Sequence, residues 1–175
     1  MRMEELGRVI RERATALVES SVDQALVDGR QSEAALRIQR GARRWLRCQG
    51  WATVVQLPLR NGRRADIVAL DARSRIVIVE VKSSIADFRA DQKWPDYREH
   101  CDELLFAISS DTPVDIIPAD AGLIVADQYG AHLLRPGPEH RLPPATRREM
   151  LLRFARSAAD RLHVLADPGA AGFDT

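Results

Sequence analysis

Arg64-Ala65-Asp66-Ile67-Val68-Ala69-Leu70-Asp71-Ala72-Arg73-Ser74-Arg75-Ile76-Val77-Ile78-Val79-Glu80-Val81-Lys82 is the stretch that decides the fold. Its second half, Arg75–Lys82, carries β-branched residues at nearly every position, the pattern of a strand buried on both faces. Its first half, Arg64–Leu70, reads as a partner strand, and Asp71-Ala72-Arg73-Ser74 joins the two. Burying a carboxylate and an ammonium at the end of such a strand costs several kcal/mol unless something compensates. Glu80 and Lys82 are two apart and so share a face of the strand. Asp66 joins that face across an antiparallel hairpin only if the turn holds an odd number of residues, three (Ala72-Arg73-Ser74) or five (Asp71–Arg75).

Outward from this hairpin the chain reads as an α/β domain on a mixed sheet. Residues 1–28 form an expected N-terminal helical segment, with a break at Asp28-Gly29-Arg30-Gln31. A second helix starts near Ser32, with Ala35, Ile38, Ala42, Trp45 and Leu46 on one side. Arg37, Arg40, Arg43, Arg44 and Arg47 occupy the other side, and Gly50 ends the helix. Trp51–Leu59 is a first strand, closed by Pro58 and the Asn61-Gly62 turn signal. A polar stretch from Ser83 to Asp91 leads into a helix over Gln92–Cys101, with Pro95 in its first turn. Leu104–Ile108 is a fourth strand, and Leu123–Ala126 pairs with His132–Leu134 as a hairpin. Thr146 is the expected cap of a last helix running to about Val164. The domain spans residues 32–164, and 165–175 is expected to be a mobile tail.

Composition narrows the function. Twenty-six basic residues face 25 acidic ones, a net charge of +1, which argues against a grossly cationic nucleic-acid binder. Lys82 and Lys93 are the only lysines in an otherwise arginine-based set, and both fall near the suspect hairpin. Cys48 and Cys101 have no metal spacing or disulfide framework and read as core or near-core residues. His100, His132, His140 and His163 are dispersed, which excludes a zinc pattern. No phosphate-cradling glycine loop appears, and no small-molecule cofactor is expected. No apolar run is long enough to span a bilayer, and Met1-Arg2-Met3-Glu4-Glu5 lacks the core of a secretory signal, so a cytoplasmic, membrane-free protein is expected.

Asp66, Glu80 and Lys82 suit phosphodiester hydrolysis. Two carboxylates can hold Mg²⁺ or Mn²⁺, with the Val81 carbonyl as a further hard oxygen ligand. A lysine beside them can orient the attacking water and stabilise the charge that builds on phosphorus. The alternative is a structural ion-pair cluster at a sheet edge, with Lys82 simply paired to Glu80 or Asp66.

Ala65-Asp66 followed by Glu80-Val81-Lys82 resembles the signature of the PD-(D/E)XK nuclease superfamily, with Ala65 where the superfamily has proline. The resemblance covers roughly residues 32–127 and implies a restriction endonuclease-like core of order αβββαβ, here with an added β-hairpin and terminal helices. A longer likeness runs through Arg63-Arg64-Ala65-Asp66, Glu80-Val81-Lys82-Ser83-Ser84, Asp87–Tyr97 and Gly122–Asp127. These segments look like the bacterial MmcB family, whose members are described as candidate DNA-repair endonucleases. That resemblance implies Asp66, Glu80 and Lys82 as active-site residues, Mg²⁺ or Mn²⁺ as cofactor and DNA as partner. It also implies Glu33, on the first core helix, as an accessory metal ligand, and Gln92, Lys93 and Tyr97 as contacts to substrate. Arg63 and Arg64 precede Asp66 and are expected to rim the same cleft. Trp94 and Tyr97 are either stacking platforms for an unpaired base or anchors of their helix, with anchoring favoured for Trp94.

Two rival functions fit the same residues: a DNA-binding, partner-recruiting repair factor that does not cut, and an interaction protein whose N-terminal helix pairs with a partner or a second copy. A homodimer is compatible with the sequence.

Overall fold

The computed structural model describes residues 32–91 and 93–167. The expected helix over 1–28, the residue Gln92 and the tail positions 168–175 lie outside them. The chain divides into two compact units, one of Ala34–Ser157 and one of Met1–Glu33 with Ala158–Thr175. The larger unit carries the sheet, and the division falls inside the last helix.

Helix α1 (Glu33–Cys48) leads into strands β1 (Ala52–Pro58), β2 (Arg64–Leu70) and β3 (Ile76–Lys82). Helix α2 (Ile85–Ala90) and a 3₁₀ helix (Trp94–His100) precede β4 (Glu103–Ile108). A short 3₁₀ helix (Val114–Ile116), strands β5 (Gly122–Ala126) and β6 (Ala131–Arg135) and helix α3 (Pro144–Ala166) follow. The six strands lie in sequence order. The first three form an antiparallel meander, β3–β4 and β4–β5 are parallel, and β5–β6 is an antiparallel hairpin.

Local chemistry accounts for most boundaries. At the end of α1, the Trp51 amide donates to Leu46 and the Gly50 amide to Arg47, the two bonds of a Schellman ending. Gly50 supplies the left-handed φ of +84° that this ending needs. In the β2–β3 turn the Asp71 carboxylate accepts the amides of Arg73 and Arg75. Asp71 also donates its own amide to the Arg75 carbonyl at 3.1 Å.

Four expectations change. Ser83–Asp91 is not merely a polar connection. It contains α2, because the Ser84 hydroxyl accepts the Asp87 amide at 3.1 Å while the Asp87 carboxylate accepts the Ser83 amide, a capping arrangement. Thr146 does not cap the last helix, which begins two residues earlier at Pro144, a residue suited to a first turn. The helix also runs on to Ala166, into the expected tail. Cys48 is exposed whereas Cys101 is buried. Cys48 follows Arg44 by four residues and so falls on the arginine side of α1.

The core has two layers of side chains, one on each face of the sheet. Ala35, Ile38, Ala42 and Leu46 of α1 pack on Val77, Val79, Val81, Leu105, Ala107, Ile124 and Ala126. Gly41 lets α1 sit directly on the β5–β6 turn, since a Cβ there would lie 1.8 Å from the Asp127 carbonyl oxygen. The opposite layer holds Phe106, Ile108 and Leu123 under Phe88 and Trp94. Every residue of β3 is buried, which places Glu80 and Lys82 inside the protein on an internal strand, not at a sheet edge.

At the far end of β3, Asp102 ties the sheet to α3. Its carboxylate takes a two-pronged contact from Arg147, at 2.6 and 2.8 Å, and accepts the Ile76 amide at 2.8 Å. Burial alone would raise its pKa. The guanidinium and the backbone amides outweigh that and hold it below the ordinary aspartate value.

Candidate active site

The pairing of β2 with β3 runs Leu70↔Ile76, Ala69↔Val77, Val68↔Ile78, Ile67↔Val79. Five residues, Asp71–Arg75, therefore make the turn, and the same register sets Asp66 opposite Glu80. The odd-turn condition is met. Because Val79 and Val81 face α1, Glu80 and Lys82 project to the other side of the sheet, toward α2 and the 3₁₀ helix.

Asp66 and Glu80 are interlocked through the backbone. The Glu80 carboxylate accepts the Asp66 amide at 3.1 Å, and the Asp66 carboxylate accepts the Val81 amide at 2.9 Å. Gln56 Nε2 donates to the other Asp66 oxygen at 2.9 Å. Gln56 sits in β1 at a left-handed φ of +51°, between the pairs Val55↔Ile67 and Leu57↔Ala65. A non-glycine residue in that region is strained, and such strain concentrates at functional sites.

Glu80 is only 3 % exposed and Lys82 5 %. Burial, and then the neighbouring Asp66 charge, push the Glu80 carboxyl well above its usual range. Burial likewise raises Asp66, against the lowering effect of the Val81 amide, Gln56 and Lys82. Both carboxyls thus hold a proton more readily than free ones do. Lys82 does not answer that excess by a direct contact with either of them. Its ammonium donates to Asp91 at 2.6 Å, while its charge still favours ionisation of both Asp66 and Glu80.

Tyr97 closes the site from the 3₁₀ helix. Its hydroxyl donates to the Arg64 carbonyl at 3.3 Å and lies beside the Glu80 carboxylate. Burial and the Glu80 charge raise its pKa far above that of a free phenol. The ring is 6 % exposed, and the Arg63 guanidinium covers it 5.6 Å from the centroid. Tyr97 is consequently not a platform for a base, the reading the sequence had left open. Trp94 anchors its helix as expected, edge-on to Phe106 at 5.5 Å.

Arg63 is half-buried, bonded to Asp96 at 2.9 Å and 4.0 Å from Asp91. The side chains of Arg64 and Lys93 are exposed. Glu33 is the exposed first residue of α1. That helix packs on the face opposite Glu80 and Lys82.

Two residues of the site escaped the sequence reading. Asp91 lies within the Asp87–Tyr97 run that carried the family resemblance, yet nothing in its spacing marks it as the partner of Lys82. Gln56 is a polar residue of β1 that the unbroken β1–β2 register sets opposite Asp66, a placement that only the pairing reveals.

The donors present suit a hard divalent cation. Two carboxyls with raised proton affinity supply oxygen ligands, and a cation beside them would favour the ionised form of both. Among the described residues no cluster of three or more His, Cys, Asp or Glu side chains converges. A cation held here would therefore draw its remaining ligands from backbone, water or substrate. No helix among the described residues is long and apolar enough to cross a membrane.

The mixed six-stranded sheet flanked by helices, with its acidic pair at the end of β2 and β3, is consistent with a restriction endonuclease-like core. The chain belongs to the MmcB-like family of DNA repair proteins, whose model matches residues 22–169. Among solved structures it is similar to the SPO1766 protein of unknown function from Silicibacter pomeroyi. The two are 39 % identical, with a TM-score of 0.78, over 83 % of this chain and 99 % of that one. No curated protein matches the chain.

Proposed function

We propose that this protein hydrolyses phosphodiester bonds of DNA during repair, using Mg²⁺ or Mn²⁺ held by Asp66 and Glu80. The observation that carries the reading is the facing of Asp66 and Glu80, both with raised carboxyl pKa values, beside buried Lys82. A structural cluster would have neutralised the pair with the lysine. Here the lysine is held by another acid, Asp91, and the two carboxyls share the sheet face on which a cation would sit.

A bound divalent cation polarises the scissile phosphate and makes water a better nucleophile at neutral pH. The chain's own residues do the rest. Asp91 aims Lys82, whose ammonium positions the attacking water and stabilises negative charge on the phosphoryl oxygens. Gln56 and the Val81 amide fix both oxygens of Asp66, and Tyr97 fixes Glu80. Preorganisation of this kind removes reorganisation cost from the transition state. Arg63, Arg64, Gln92 and Lys93 are assigned to the phosphates flanking the cut, and the Val81 carbonyl to the cation.

Calorimetric titration with Mn²⁺ tests the cation site directly. Saturable binding by the wild type, lost in Glu80→Gln, supports the enzyme. Equal heats for the two proteins reject the site and leave a DNA-binding module that needs no metal.

A further inference from the structure

A second feature sits at the same end of the sheet as the acidic pair. The carboxyl ends of β3, β4 and β5 open into a cleft of about 590 Å³ on the α1 side, lined by Arg37 and Ile38, Ser83, Ser109, Ala126 and Tyr129. Crevices outside the carboxyl ends of parallel strands are where α/β sheets bind ligands. Ser83 follows Lys82 directly, so the cleft begins one residue beyond the last residue of the site.

Tyr129 forms its lip. The side chain is 73 % exposed, yet its backbone is held from several directions. The Asp127 carboxylate accepts the amides of Tyr129 and Gly130 at 2.7 and 2.9 Å. Asp127 donates its own amide to the Gly130 carbonyl, and Arg44 reaches from α1 to the Gln128 carbonyl at 3.0 Å. Gly41 lets the helix press against the same turn. An exposed aromatic ring on a backbone this constrained loses little entropy when something stacks on it.

We propose that this cleft takes an unpaired nucleotide of the DNA substrate, with its base stacked on Tyr129. The assignment rests on the nuclease reading above and names the substrate class: DNA with single-stranded character beside the cut. A base inside a duplex has both faces covered by its neighbours and cannot offer one to Tyr129, whereas an unpaired base can. Arg37 supplies positive charge for the adjoining phosphate. The hydroxyls of Ser83 and Ser109 suit the sugar or a base edge. The strand passes over the end of the sheet from this cleft to Asp66, Glu80 and Lys82 on the other face.

The test is fluorescence anisotropy in EDTA, where no metal-dependent cut can occur, on a blunt duplex and on the same duplex with a single-stranded tail. Tyr129→Ala should weaken binding of the tailed DNA on the order of tenfold and leave the blunt duplex unchanged. Tyr129→Phe, which keeps the ring, should bind both as wild type does. Circular dichroism confirms that the variants are folded. Equal loss on both DNAs, or none on the tailed one, overturns the proposal. Free deoxyadenosine monophosphate binding as tightly as the tailed DNA overturns it too, since the cleft would then be a mononucleotide pocket. None of these readouts depends on cleavage, so this assignment can fail while the nuclease stands.

Discussion

Lys82 gives its ammonium to Asp91, 2.6 Å away, and not to Glu80 two residues before it on the same strand face. The pairing comes from the segment that follows α2, so the geometry of Lys82 depends on a residue outside the strand hairpin. Asp91→Asn keeps a hydrogen-bonding oxygen but removes the countercharge of a buried lysine. We predict a fall in kcat of roughly 10–100-fold with little change in KM, the pattern of a group that acts in the transition state. Steady-state cleavage kinetics check it, and a rise in KM at constant kcat would assign Asp91 to substrate binding instead.

Asp66 and Glu80 repel one another in the folded protein, so removing one charge should not weaken the fold. Their folded pKa values are raised, so stability rises as pH falls through those values and the ionised pair is a liability at neutral pH. Asp66→Asn in EDTA should therefore melt at or above the wild-type temperature at pH 7, and the gain should shrink at pH 5. Mn²⁺ at 100 times its Kd should stabilise the wild type by about 2.7 kcal/mol and leave Asp66→Asn unmoved. Thermal melts with and without Mn²⁺ read both effects. Unfolding of Asp66→Asn on the scale of a core deletion would count against the site.

Glycine inside a helix usually costs about 1 kcal/mol relative to alanine, so Gly41→Ala would stabilise α1 in isolation. Here the added Cβ meets two carbonyl oxygens, at 1.8 Å from Asp127 and 2.4 Å from Gly130. The sign should reverse, with a loss of about 1–3 kcal/mol or more in urea unfolding. The β5–β6 turn, with Tyr129, should shift as well.

Asp102 runs opposite to the acidic pair in its pH dependence. Its pKa is depressed below the ordinary aspartate value of 3.8, so its contribution is complete above that value and disappears as pH falls through the folded one. Asp102→Asn should cost about 2–3 kcal/mol at pH 7 by leaving Arg147 without its ionic partner. The deficit relative to wild type should shrink in acid. Unfolding free energies at pH 7 and pH 3 provide the check, and a pH-independent deficit would assign the loss to packing.

Much of this was legible in the chain. The two-residue spacing of Glu80 and Lys82 put them on one face because strand periodicity is strict. Asp66 joined them only on the condition of an odd turn, which the five residues Asp71–Arg75 meet. Gly50 marked the end of α1 and Asn61-Gly62 the turn between β1 and β2, the two glycines through a left-handed φ that few other residues adopt. Helix α2 was missed because only Ile85 and Phe88 give it an apolar side in six residues, although Ser84 and Asp87 carried the capping signal. Pro144 outranked Thr146 as a helix start. The Lys82–Asp91 contact and the left-handed Gln56 are products of tertiary pairing, and no local pattern announces either. The ring of Tyr97 looked available because its neighbours in sequence are polar. Its burial comes from Arg63, more than thirty positions earlier.

The proposed function stands or falls on metal-dependent cleavage at Asp66, Glu80 and Lys82. The most direct measurement is an assay on labelled duplex, nicked, flap, branched and single-stranded DNAs with Mg²⁺, Mn²⁺ or EDTA. Wild type would be run beside Asp66→Asn and Lys82→Ala, all three shown to be folded. The wild type should cleave with metal and not in EDTA, and both variants should lose cleavage. Absence of cleavage on every substrate, with DNA binding retained by all three proteins, would contradict it.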